Sequence, residues 1–399
     1  MQFQSLSLAD AGWQVTVLAY KGHAPVSTVL ESPAIDIRYL HDHLHTRFPY
    51  FLKGTFRLVN LTCQLFFHLL FRISDWEMVL VQTPPAIPTI PVSLIATRSA
   101  RLFRRGRKRL IIDWHNLGFT KFAERIKGDS FITRMYRWIE TYFGRRADGH
   151  LCVSVAMRDF LARDLGIDHV SILYDRPLLS QMQVSSSESR EDFITRLFGR
   201  DLIDHRSLRL LVSSTSWTDD EDMEMILRAA DLADVRISAT SDDGGDPKAR
   251  MVIIITGEGP NRDTFERLRS ARSYQHFTIL SAWLTVKDYR LLLALSDFGI
   301  CLHTSSSGID LPMKLADMMG ARLPTLTYNY GPTLLERFQD GGDGHLFLTE
   351  MDLATHFCRL LDEDWVSHYA RVIVEMDTRP LESWEIGWKK EALPLFENR

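Results

Sequence analysis

Short apolar runs alternate along this chain with longer stretches whose apolar residues recur at helical spacing. Residues 15–20, 78–82, 109–113, 149–153 and 170–173 read as strands, while 55–73, 130–146 and 154–165 carry the helical period. A polar stretch, SQMQVSSSESRED (residues 180–192), interrupts the alternation. The pattern then restarts with LRLLVSST, ARMVIIITGEGP, FTILSAW and LSDFGICLHTS. This predicts an α/β fold of two Rossmann-like domains, 1–178 and 208–375, joined by a linker over 179–207. A last helical segment, 376–399, is expected to pack back towards the first domain. Ligands in such sheets bind beyond the strand C-termini, so the cleft that the two domains face is the expected site. The first twenty residues open on a helix-like run before any strand, so the strand that should precede it in a parallel domain is expected to be missing.

The bulk numbers narrow the class. A chain of 399 residues is long enough for two cores, and 45% hydrophobic with 25% charged residues describes a globular protein. A net charge of −4 argues against nucleic acid as a partner. Cys63, Cys152, Cys301 and Cys358 are far apart and form no metal-type spacing, which fits a reducing compartment and no metal site. The longest apolar stretch, residues 58–73, is interrupted by Asn60, Gln64, His68 and Arg72 and is too short to span a bilayer.

Candidate chemistry lies at the strand ends. Ser214, Thr215 and Ser216 precede an acidic helix start, where hydroxyls and amides can hold phosphate or simply cap the helix. Gly257 and Gly259 follow a strand and permit a close backbone approach to a ligand, though turns use glycine for the same reason. In CLHTSSSGIDLPMKLADMMG, Ser306, Ser307 and Gly308 form a loop and Pro312 suits a first helical turn. Lys314 and Asp317 then share one helical face, able to meet a diphosphate and a ribose, or to form a surface ion pair. In the first half, Asp113 and His115 stand at the C-terminus of a strand, as a general base with its holder or as a buried structural pair. The four prolines of VQTPPAIPTIP read as a stiffened loop, and Asp242 and Asp243 as part of an exposed turn. Residues 97–109 concentrate seven basic residues, including Arg104, Arg105 and Arg107, and with the apolar helix at 58–73 they suggest contact with a membrane surface.

Together, LIIDWHNLGF, STSWTDDEDM, ITGEGP and the long serine-to-glycine motif resemble the chitobiosyldiphosphodolichol β-mannosyltransferases. VQTPPAIP, LCVSVAMRDFL, LYDRP and LESWEIGWKKEALPLF extend the resemblance over nearly the whole chain. It implies a GT-B fold and transfer of the first β-1,4-mannose from GDP-mannose to GlcNAc2-diphosphodolichol, with inversion and without a cofactor. It further implies the cytosolic face of the endoplasmic reticulum membrane, with other mannosyltransferases of lipid-linked oligosaccharide synthesis as partners. Lys314 and Asp317 inherit diphosphate and ribose roles; within the other pair His115 is favoured as the base with Asp113 holding it, and Asp113 as base is the alternative. The family pattern begins with an anchor, a strand and a Gly-Arg loop, and this chain starts inside it, so a truncated relative that binds nucleotide without turnover is the alternative.

Overall fold

The computed structural model describes the chain except residues 22–24, 42–49, 74, 103–107, 127, 129, 178–187, 200–207, 241–249, 306, 362–371, 375, 377, 381 and 398–399. The described residues divide into two compact units, Met1–Tyr174 with Trp384–Arg399, and Asp175–Ser383.

In the first unit, β1 (Val15–Tyr20) and β2 (Ile35–Leu40) pair in parallel. A separate parallel sheet runs β3 (Met78–Thr83), β4 (Arg109–Trp114), β5 (Gly149–Cys152), β6 (Val170–Ile172). Leu110, Ile111 and Ile112 of β4 are fully buried, as the unbroken apolar run of an internal parallel strand requires. The helix Thr89–Leu102 packs on β3 and β4. Its sequence reads as a proline-stiffened loop, but Pro88 precedes the helix and Pro91 lies in its first turn, where no amide partner is lost. The Arg-rich run ahead of β4 lies largely outside the described residues, and so do Arg104, Arg105, Arg107, Asp242 and Asp243.

The second unit is one six-stranded parallel sheet. Its strands are β7 (Leu208–Ser214), β8 (Arg250–Thr256), β9 (Phe277–Ala282), β10 (Phe298–Cys301), β11 (Thr325–Tyr328) and β12 (Gly344–Phe347). They lie in the order β9-β8-β7-β10-β11-β12, so the winding reverses between β7 and β10. That reversal opens a crevice at the strand C-termini, the usual ligand position in such sheets. Part of the expected linker is structured instead. Residues Arg190–Phe198 form a helix whose Phe193 and Ile194 are fully buried against the core of this unit. Val372 and Met376 also belong to this unit's core, so the return to the first unit falls at Trp384 rather than 376.

The helix Trp384–Glu391 packs on the opening helix Gln2–Asp10, and the last helix Leu393–Glu397 packs on Trp384–Glu391. Trp384 donates its indole N–H to Ser7 Oγ at 2.9 Å, and Trp388 donates to Gln4 Oε1 at 2.7 Å. Gln4 and Trp388 are both 1% exposed, so neither polar atom has water as a substitute. Trp388→Phe retains most of the packing but leaves Gln4 Oε1 without its donor. The expected loss is about 1–3 kcal/mol of stability, read as a lower melting temperature of the first unit. An unchanged melting curve would show that the two ends of the chain do not depend on this bond.

Candidate functional site

Two clusters of chemistry-bearing residues lie at strand C-termini, one in each unit. In the first unit β4 carries Asp113 into the interior, 1% exposed, and the chain turns at His115 just beyond. Asp113 Oδ2 lies 3.0 Å from His115 Nε2 and accepts from Gln4 Nε2 at 3.0 Å. The orientation of the Gln4 amide follows from its neighbours. Trp388 is only a donor, so Gln4 Oε1 faces it and Nε2 is left to face the carboxylate. Burial by itself pushes the Asp113 carboxyl up. The His115 charge and hydrogen bond and the Gln4 amide oppose it and hold Asp113 below its ordinary value. An ionised Asp113 requires the proton of a neutral His115 ring on Nε2, which makes Nδ1 the basic atom. Gln4 has no signal in the sequence: it stands 109 residues from its partner.

The second cluster occupies the crevice between β7 and β10. Glu221, 2% exposed in its side chain, is its centre. One carboxylate oxygen accepts from Thr215 Oγ1 at 2.7 Å and from the Ser216 amide at 3.0 Å. The other accepts from Lys314 Nζ. Lys314 follows Pro312 in the first turn of the helix Met313–Gly320, so Glu221 ties that helix start to the β7 loop. The sequence offers an ion pair between Lys314 and Asp317. Instead each has its own partner, and Asp317 accepts from Tyr289 Oη at 3.3 Å. The same phenol meets Ser214 Oγ at 3.4 Å. Burial pushes the Asp317 carboxyl up to about 6, with Asp175 adding to it and Tyr289 and Arg290 opposing.

Gly257 and Gly259 permit a close approach, but to protein rather than to open space. A Cβ on Gly257 would lie 1.7 Å from the Thr215 carbonyl oxygen, and one on Gly259 1.9 Å from that of Ser216. Trp217, at φ 50° and fully buried, donates its indole N–H to the Gly257 carbonyl at 3.1 Å. The glycine pair thus seats the loop that carries Thr215 and Ser216. In the serine loop, Gly308 takes a left-handed φ of 72°, and Ser306 lies outside the described residues. Ser307 and Ser305 both donate to buried Asp310, Ser307 at 3.0 Å. His303 Nε2 lies 3.4 Å from the same carboxylate. The Ser305 and Ser307 hydroxyls are therefore engaged by Asp310, a residue without a sequence signal because nothing in its spacing separates it from a surface acid. Among the described residues no three His, Cys, Asp or Glu side chains are grouped to hold a metal ion.

This geometry has relatives. Residues 5–174 match the glycosyl transferase 4-like domain. The chain is 32% identical over 447 residues to UDP-glycosyltransferase TURAN of Arabidopsis thaliana, across 99% of this chain and 94% of that protein. It is 31% identical over 438 residues to chitobiosyldiphosphodolichol beta-mannosyltransferase of Mus musculus, across 99% of this chain and 86% of that protein. The crystal structure of Anabaena Alr3699/HepE in complex with UDP and glucose superposes with a TM-score of 0.62 at 13% identity, across 99% of this chain and 93% of that one. At that identity the likeness concerns the fold, which is the two-Rossmann α/β fold of GT-B glycosyltransferases. A match over 99% of this chain and 86% of the mouse enzyme at 31% identity makes the chain a member of the chitobiosyldiphosphodolichol beta-mannosyltransferase family of glycosyltransferases.

Proposed function

We propose that this chain transfers mannose from GDP-mannose to GlcNAc2-diphosphodolichol, forming a β-1,4 bond with inversion, at the cytosolic face of the endoplasmic reticulum membrane. The observation that carries the reading is the Lys314 ammonium fixed by buried Glu221 at a helix start, with Asp317 one turn further on, at the sheet's switch point. There the ammonium and helix amides take the donor diphosphate, and Asp317 accepts from ribose hydroxyls. The sugar C1–O bond to phosphate breaks, and GDP leaves with the electron pair. The acceptor hydroxyl bonds to C1 as its proton passes to His115 Nδ1, while Asp113 steadies the resulting imidazolium.

The Arabidopsis relative is named for UDP, so a uridine donor is the second reading. Incubation with radiolabelled GDP-mannose or UDP-sugars and a phytanyl-linked GlcNAc2 diphosphate separates the two. Label transferred from GDP-mannose supports the proposal. Transfer only from a UDP-sugar replaces the donor, and binding of nucleotide without any transfer supports a non-catalytic relative.

Three results follow from the assigned roles. The folded carboxyl of Asp317 titrates at about 6, above its ordinary 3.8, so its protonated form persists until the pH passes about 6. Any stability from the neutral form is lost over that window, while the ionised ribose acceptor appears in it. GDP affinity should therefore rise between about pH 5 and pH 7, and Asp317→Asn should flatten the rise. A step that survives in Asp317→Asn belongs to another group. Lys314→Ala should slow turnover, because its charge acts most on the departing diphosphate, and an unchanged maximal rate would return Lys314 to a structural role. His115→Ala should lower turnover by about 10²–10⁴ while GDP binding persists, and near-normal turnover would send the search for the base to His303.

A further inference from the structure

The helix Phe131–Gly144 in the first unit has an outer face that no described element covers. Phe131, Met135, Trp138 and Tyr142 recur there at helical spacing, and Phe131 and Trp138 are 80% and 61% exposed. Between and beside them stand Arg134, Arg137, Arg145 and Arg146, all exposed. The only acid of this segment, Glu140, is turned inward, fully buried on the amides of Gly118 and Phe119. Among the described residues, none of Arg134, Arg137, Arg145 and Arg146 meets a carboxylate. Arg146 lies over the Tyr142 ring at 3.6 Å, and Arg137 over Phe119 at 5.2 Å. A hollow of about 420 Å³ opens here, lined by Trp138, Thr141, Tyr142, Arg145 and Arg146.

The surface continues over neighbouring helices. The helix Thr89–Leu102 packs against Phe131–Gly144 on one flank and against Tyr50–Phe67 on the other. It exposes Ile95 and Arg98, and Arg98 donates to the Arg146 carbonyl at 2.8 Å. On the far flank Phe56, Val59, Phe67 and Phe71 form a second exposed apolar stripe, with Arg72 over the Phe67 ring. None of the three helical segments contributes an exposed acid, on a chain whose net charge is −4.

Large apolar side chains bordered by guanidinium groups that meet no carboxylate match the boundary of an anionic bilayer, where rings sit at headgroup depth and cations meet lipid phosphates. Among the described residues no helix is long and apolar enough to cross a membrane, so this face would lie on the bilayer rather than enter it. We propose that the Phe131–Gly144 helix and its two neighbours form a docking face for an anionic phospholipid surface, with the Trp138–Arg146 hollow seating a headgroup phosphate. An acidic protein partner is the other occupant this charge would fit, and the vesicle experiment below distinguishes the two.

The test is sedimentation of the full chain with vesicles of phosphatidylcholine, alone or with one third phosphatidylserine. No acceptor lipid is present, so the result is independent of any transfer reaction. The chain should bind the anionic vesicles at least about tenfold more tightly, and added salt should weaken that binding. Arg134→Glu with Arg146→Glu should abolish the preference. Met135→Ser with Trp138→Ser should reduce binding to both compositions, and Arg267→Glu in the second unit should change nothing. Circular dichroism establishes that each variant is folded. Equal binding to both vesicle types, or full binding by the Arg134→Glu, Arg146→Glu protein, overturns the proposal. Failure of the parent chain to bind overturns it too and leaves the face to a protein.

Discussion

A carboxylate shut away from water must be surrounded by donors, and the second unit is organised round one. Glu221 draws a hydroxyl, a backbone amide and an ammonium from two segments that are more than ninety residues apart in the chain. Removing any of these donors leaves the carboxylate less compensated in a place where that is expensive. The loop after β7 and the helix after β10 are therefore fixed relative to each other before any ligand arrives. The backbone agrees with this arrangement. Gly257 and Gly259 let the neighbouring loop press against Thr215 and Ser216, and Trp217 fills the space behind. A site held in this way presents a positive charge at a helix start without having to rearrange.

The first unit solves a similar problem with a different outcome. Asp113 is buried too, but its donors are a glutamine amide and an imidazole, and the imidazole reaches the surface. The chain of bonds from Trp388 through Gln4 to Asp113 fixes the tautomer of His115 from the opposite end of the sequence. The C-terminal helices thus reach the Asp113–His115 pair through Gln4.

Much of the fold is legible in the sequence because parallel strands are unbroken apolar runs and their helices keep a helical period. The strands β3 to β6 and the helices Phe131–Gly144 and Val155–Leu165 are visible that way. The helix Thr89–Leu102 is not, since Pro88 and Pro91 carry the same local signal at a helix start as in a rigid loop. The helix Arg190–Phe198 hides for another reason: a serine-rich stretch precedes it, and its burial is decided by the sheet it joins. At the site, Lys314, Asp317, Asp113 and His115 stand out by position at strand ends. Glu221, Asp310 and Gln4 do not, because what distinguishes them is burial and a partner far away in the chain. The glycine pair illustrates a third case. Its need for space is legible, but the group that takes the space is protein backbone.

If Glu221 is the organising charge, replacing it by an isosteric amide should act on ligand binding more than on folding. Calorimetric titration of GDP into the parent chain and into Glu221→Gln measures this directly. The account predicts that the variant stays folded while its GDP affinity falls by about tenfold, the loss of one charge-assisted contact to Lys314. Unchanged GDP affinity in folded Glu221→Gln would contradict it.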